Sequence, residues 1–401
     1  MRLWILIVLA MGVSGGFISG PMQAQEPSKQ KWKPDGKSGA LPLTDFRPRT
    51  MLKNIRVTNL AGAKYPVIDV HGHFGRRLRG SEQGLVDFVE VMDAQNIALC
   101  ISLDAQLGGN LSDHQKYLEP FENRFAVFVH LNFQGDGDAK DPASWDCHRE
   151  DFARRTARLL ADAKSQGVCG VKFFKQFGLG YRNPDDSLIE IDDPRWDPIW
   201  EACATLQLPV IIHTADPAAF FEPIDQFNER YEELARHPDW SFYGEGYPTR
   251  NELFAARNRV IGKHPKTQFI GAHLANNPED LKKVSEWLDR YPNLVVEPSS
   301  RIGELGRQPY TTREFFLKYQ DRILFGTDGP WPEQRLSYYW RFLETRDEYF
   351  AYSEKDPPPQ GLWQIYGIDL PDPVLEKIYF RNALRVMPSL RTKYELYRKA
   401  N

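Results

Sequence analysis

Two histidines one residue apart close the first apolar run of the chain after its N-terminal stretch, in Val67-Ile68-Asp69-Val70-His71-Gly72-His73. In a strand, residues i and i+2 project to one face. His71 and His73 therefore leave the strand end together, as two ligands of one metal do. Three later runs end similarly: Pro209-Val210-Ile211-Ile212-His213, Phe269-Ile270-Gly271-Ala272-His273 and Ile323-Leu324-Phe325-Gly326-Thr327-Asp328. Each is a β-type run closed by a residue that can hold a cation or move a proton. Buried imidazoles and carboxylates need partners, and a divalent cation supplies one.

The elements that would position these residues alternate in type. Strands are predicted at 66–71, 97–103, 125–131, 168–174, 209–213, 267–273, 294–298 and 322–327. Helical patterns lie near 82–95, 113–122, 150–165, 195–206, 250–263, 279–290, 311–319, 333–349 and 372–386. Near-continuous apolar strands separated by helices indicate parallel βα units buried on both faces. The count and size fit an α/β fold of the (β/α)8 TIM-barrel type, whose active sites sit at the strand ends. A doubly wound open sheet is the alternative, but no glycine-rich phosphate loop follows the first strand. The stretch 214–266 exceeds a simple βα connection and reads as an insertion after the fifth strand, with Phe220, Phe221 and Trp240 available to line a pocket or pack against the barrel.

At 401 residues the chain can bury a large core, and a formal net charge of −3 argues against nucleic acid as a partner. Residues 1–24 have the form of a secretory signal peptide: Arg2, an apolar stretch broken by glycines, then Pro21 and Ala24. Export to the periplasm or medium follows, with no stable membrane span after cleavage; an uncleaved anchor is the alternative. Residues 25–60 read as a tail or linker, and 61–401 as the barrel domain. Cys100, Cys147, Cys169 and Cys203 form no CxxC pair and read as buried free thiols. A homo-oligomer is compatible with the sequence.

The ordered motifs resemble the amidohydrolase superfamily, in the amidohydrolase family 2 branch related to aminocarboxymuconate-semialdehyde decarboxylase. They are Asp69-Val70-His71-Gly72-His73, Gly170-Val171-Lys172-Phe173, Asp193-Pro194-Arg195-Trp196, Leu208-Pro209-Val210-Ile211-Ile212-His213, Gly271-Ala272-His273, Leu324-Phe325-Gly326-Thr327-Asp328 and Arg381-Asn382-Ala383. The resemblance implies one divalent metal held by His71, His73, His213 and Asp328, with His273 touching water or substrate as acid or base. Zinc suits such a set, and manganese is the alternative. Asp328 would also accept a proton from the attacking water.

Asp69 reads as strand-end support or as a partner that orients a ligand. Lys172 reads as a buried-stem residue beside the site rather than a carbamate bridging two ions, and the same holds for Lys175. Arg76, Arg77 and Arg79 follow the first strand, and Arg301 follows the seventh. Their guanidinium forks suit a substrate carboxylate, against the plainer reading of solvated loop charges. His130 reads as structural. The leading function is an exported metal-dependent hydrolase that opens an amide, lactone or ester of a small molecule. Non-oxidative decarboxylation of an unsaturated or aromatic acid is the runner-up, and a ligand-binding barrel without turnover is the third reading.

Overall fold

The computed structural model describes residues 49–400. The segment read as a signal peptide and most of the 25–60 tail lie outside the described residues. Among the described residues no helix is long and apolar enough to cross a membrane.

Seven strands form one parallel sheet in sequence order: β1 Val67–Gly72, β2 Ile97–Gln106, β3 Phe125–His130, β4 Gly170–Phe173, β5 Val210–Ile212, β6 Phe269–Gly271 and β7 Leu294–Val296. Their apolar runs are buried almost throughout, as a sheet covered on both faces requires. The run expected as an eighth strand occupies the eighth position as irregular backbone. Leu324 donates to Val296 O (2.8 Å) and Val70 donates to Phe325 O (3.0 Å), with isolated parallel bridges Val296–Ile323 and Gly72–Gly329. The sheet thus closes on itself as a barrel. The run ends at Asp328, which sits at φ 63°, and Gly326 leaves room for Glu297 Oε2, which lies 2.6 Å from where a Cβ there would stand.

Alternate residues of the strands, among them Ile68, Val70, Leu99, Ile101, Phe128 and Ile270, meet in one apolar cluster with Met387, Leu390, Tyr394 and Tyr397 of the C-terminal segment. The sequence reading lacked the helix Arg391–Ala400. It covers the strand starts: Lys393 Nζ donates to Phe125 O (2.9 Å) and Tyr397 packs under Arg124. Closing that end leaves the C-terminal ends of the strands as the open mouth.

Two predicted helices change form. The 333–349 pattern stops at Glu344, where Thr345 turns extended and caps Arg341 O through its hydroxyl (2.7 Å). The 372–386 pattern contains a π-turn at Lys377–Arg381, next to Asn382, whose Nδ2 reaches out to Gln320 O and Ile323 O. Between β5 and β6 the chain runs through the turn Ala218–Phe221, the helix Tyr231–Arg236, the turn Pro238–Trp240 and the helix Arg250–Lys263. A reciprocal Thr249–Glu252 capping box starts the last of these. All four cysteines are free and buried.

Candidate active site at the mouth of the barrel

The end of β1 delivers both histidines to one cluster. His71 Nδ1 lies 2.8 Å from Glu297 Oε1 and His73 Nδ1 lies 2.6 Å from Asp104 Oδ1. With each Nδ1 held by a carboxylate behind it, each Nε2 turns toward Asp328 Oδ1, at 3.9 Å for His71 and 3.3 Å for His73. Their ligand atoms all fall within 4.8 Å of one another. Asp328 is fixed from outside by Ser300 Oγ and Arg77 Nη2, each 3.1 Å away. Asp69 ties β1 to the closing segment: it accepts from His71 N (3.0 Å), Thr327 N (3.1 Å) and Thr327 Oγ1 (2.5 Å).

His273 belongs to a second compact group, with His71 and Glu297. Its Nδ1 faces Ser299 O at 2.8 Å, which leaves Nε2 with a free lone pair. The backbone that carries it is unusual. His273, Leu274, Ala275 and Asn276 all have φ between 53° and 58°, a left-handed turn without glycine. Tertiary contacts hold it: Glu297 accepts from His273 N and Leu274 N, Arg257 Nη1 donates to Ala275 O (2.7 Å), and Arg250 Nη2 donates to Asn276 O (2.7 Å).

His213 stands one ring away, its centroid 4.5 Å from that of His273. It belongs to neither compact group among the described residues, because its Nε2 faces Asp216 Oδ1 at 3.3 Å. Asp216 is paired in turn with Lys175. The structure therefore gathers His71, His73, Asp328 and His273 directly, and places His213 beside them with a different partner. Lys172, fully buried, puts Nζ 3.3 Å from His71 Nε2. His130 meets Phe174 edge-on, on the ring that stacks with His73, rather than joining the cluster.

Burial sets the protonation states. It lowers the imidazoles of His71, His73 and His273, and lowers His213 to about 4, so all four are neutral near pH 7. Burial also lowers Lys172 and raises Glu297. Asp104 stays low despite burial because His73 and the Arg76 amide bond its charged form. Neutral imidazoles, an aspartate and carboxyl groups oriented behind the rings are the donor chemistry that a divalent cation requires, and the residues fit one.

A cavity of about 430 Å³ opens above this cluster. Arg76, Arg77, Lys172, Lys175, Arg301 and Arg335 line it, together with aromatic faces from Phe174, Phe220, Trp240 and Trp331. A wider hollow of about 800 Å³ between the loops after β2 and β3 holds none of the cluster residues. Glu297, Asp104 and Asp216 were not singled out from sequence. Glu297 had a readable signal, because Leu294-Val295-Val296-Glu297 is one more apolar run closed by an ionisable residue.

Fold and site together define a class: a parallel barrel whose mouth carries a histidine–aspartate cluster of metal-ligand type. The sequence profile described as amidohydrolase matches residues 136–388, and the chain belongs to that family. The amidohydrolase superfamily is one of enzymes that typically use a divalent metal. Similar solved structures include an uncharacterised TIM-barrel protein from Bordetella bronchiseptica, 15% identical over 81% of this chain and 99% of that one, with a TM-score of 0.49. A 2,6-dihydroxybenzoate decarboxylase from Rhizobium is 18% identical over 83% and 99%, with a TM-score of 0.48. A dihydroxybenzoic acid decarboxylase from Polaromonas, with bound manganese and an inhibitor, is 16% identical over 81% and 96%, with a TM-score of 0.47.

Proposed function

We propose that the protein is a metal-dependent hydrolase that opens an amide, lactone or ester of a small carboxylate-bearing molecule. The observation that carries this reading is the convergence of His71 Nε2, His73 Nε2 and Asp328 Oδ1 beneath a cationic cavity. These three would hold one divalent ion, with zinc the first choice and manganese the alternative. His213 would be the fourth donor, as the family resemblance implies, although its Nε2 now faces Asp216 Oδ1. When bound, such an ion lowers the pKa of water and polarises the electrophilic oxygen.

The chain's own residues supply the rest. Asp328, acidic and beside the reacting centre, takes the proton of the attacking water. His273, neutral and with Nε2 free, accepts a proton from water or substrate as a base, and Asp328 returns the water's proton to the leaving group. The Glu297 and Asp104 carboxylates hold His71 and His73 in the tautomer that presents Nε2. Phe174 and Trp331 supply flat walls, and the arginines draw an anion inward. Decarboxylation is the second reading, favoured by the same cationic lining, since a departing carboxylate needs a clamp. The leader-like N-terminus supports export, which the mass of the mature secreted chain would check: it should begin near Gln25.

The experiment is a panel of lactones, esters, amides and aromatic acids given to metal-loaded protein, with acid release and CO₂ followed together. Hydrolysis releases acid without CO₂; CO₂ release without consumption of water sinks the hydrolase reading. His71→Ala should lose both metal and turnover. His273→Ala should keep the metal and lose roughly 10²–10⁴ in kcat, the usual contribution of a general acid–base group. Equal metal loss in both variants would contradict the assigned roles.

A further inference from the structure

Buried charges fasten the chain between β5 and β6 to the segment after β7. Glu304, in the helix Ile302–Leu305, is 2% exposed. Its Oε1 accepts from Arg230 Nη2, and Arg230, equally buried, donates from Nη1 to Glu233 Oε2 (2.7 Å). Arg230 and Glu233 stand at the start of the helix Tyr231–Arg236. Beside them Arg307 makes a two-pronged pair with Glu229 (2.7 and 2.9 Å) and lies on the Trp363 ring at 4.0 Å. Burial works to raise the Glu304 carboxyl, but the Arg230, Arg301 and Arg307 charges win and hold it below the ordinary value.

Glu304 is thus the anion that three guanidiniums share. The Nε atoms of Arg230, Arg301 and Arg307 are buried without an acceptor among the described residues, so no other oxygen is placed to take over its role. From Arg230 the contacts lead to the cavity wall. Its guanidinium lies over the Phe220 ring at 5.5 Å, Phe220 meets Trp240 edge-on at 6.4 Å, and Phe242 N donates to Phe220 O (2.7 Å). Phe220 and Trp240 both line the cavity. Just beyond this wall, residues 243–247 are exposed, with Gly244 at φ 109° and Gly246 at φ 99°. Those glycines give the wall a pivot.

We infer that Glu304 is a positioning residue: through Arg230 it holds the Phe220–Trp240 wall against the barrel and so sets how readily a solute reaches the His71–His73–Asp328 cluster. It acts at one remove, since its contact is Arg230 rather than the cluster. Removing its charge leaves the Arg230 and Arg301 guanidiniums without their shared anion in a dry interface, where unmatched charge is strongly destabilising. The wall then relieves that cost by swinging outward on Gly244 and Gly246. This role rests on the proposed metal site only for the probe used to measure access.

The test loads the full chain with zinc and follows transfer of the metal to excess dipicolinate by stopped flow, for the wild type, Glu304→Gln and Glu304→Asp. Glu304→Gln should release zinc at least about tenfold faster, the scale of one lost hydrogen bond to a charged group. Its equilibrium zinc affinity should stay within about threefold of the wild type, because the ligands are untouched. Glu304→Asp keeps the charge but withdraws it by one methylene, and should fall between the two; should the glutamine variant not fold, the aspartate variant alone must still exceed the wild-type rate. Hydrogen exchange on the same samples should rise in residues 217–242 and not in the barrel strands. Release at the wild-type rate overturns the inference even where the melting point falls, and so does a rise in exchange spread evenly over the barrel. A wild type that holds no zinc refutes the metal reading instead, and exchange in 217–242 then decides the role of Glu304 by itself.

Discussion

Replacing Glu297 by glutamine tests whether the carboxylate behind His71 governs metal binding. Glu297 is completely buried; Oε1 accepts from His71 Nδ1 (2.8 Å) and His273 N (3.0 Å), and Oε2 accepts from Ser299 N (2.7 Å). Glutamine is the same size but offers one acceptor oxygen and one donor amide. Placed with its oxygen toward His71, its amide confronts the Ser299 N–H; flipped, it confronts the His273 N–H and forces His71 to accept at Nδ1. That second state protonates His71 Nε2 and removes its lone pair. Either orientation leaves a buried donor unmatched, worth about 1–3 kcal/mol, and Lys172 loses a counter-charge that favours its ammonium form. The expected outcome is a melting point lower by a few degrees, at about 2–4 °C per kcal/mol for a domain somewhat smaller than this one. Metal affinity should fall about 10–100-fold, as when a partner behind a ligand histidine is removed. Differential scanning calorimetry of the metal-free form and equilibrium dialysis against zinc separate the two effects. Unchanged zinc affinity in a variant that shows the expected melting shift would refute the role given to Glu297, leaving it a packing residue only.

Asp347, fully buried, accepts from Thr58 N and Thr58 Oγ1 and pairs with Arg341. Burial works against its charge, but the Thr58 and Arg341 contacts win and hold its carboxyl below the ordinary value. A depressed folded value stabilises above the unfolded pKa of about 3.9 and is lost as pH falls through the folded one. Proteolysis around residues 52–60 should therefore rise on acidification below about pH 4, and Asp347→Asn should show that susceptibility already at neutral pH. Arg257→Met should leave the melting point nearly unchanged while lowering kcat more than it changes KM. The substitution removes both the donor to Ala275 O and a buried cation that burial pushes down to about 9; full activity in that variant would show that the turn does not depend on it.

The strands were legible because each carries an unbroken apolar run, and the histidines were legible because they end those runs. The eighth position was harder. Its composition is that of a strand, yet Glu297 packs on Gly326 and Asp328 takes a left-handed conformation, both set by contacts distant in sequence. The left-handed turn was not legible at all. Ala272-His273-Leu274-Ala275 is composed of residues that favour or tolerate a right-handed helix, and nothing local marks the change of hand. His213 shows a related limit: its place at the end of β5 follows from sequence, but its contact with Asp216 depends on how the loop three residues later folds back.

That turn explains why the catalytic proposal needs the whole barrel rather than its motifs. Four non-glycine residues in the left-handed region cost roughly 1–2 kcal/mol each, so about 4–8 kcal/mol together. Two neutral bonds oppose this, Leu274 N to Glu297 O and Thr214 N to Asn276 Oδ1, at about 1 kcal/mol each. Three charge-assisted bonds, from Arg257, from Arg250 and to Glu297, add about 1.5–3 kcal/mol each. The two sides match to within a few kcal/mol, so the turn holds only while those partners are in place. Arg250 and Arg257 come from the helix between β5 and β6, and Glu297 from the end of β7. The position of His273 Nε2 is thus decided by two elements that never touch a substrate, and a change in either should move activity before it moves metal binding.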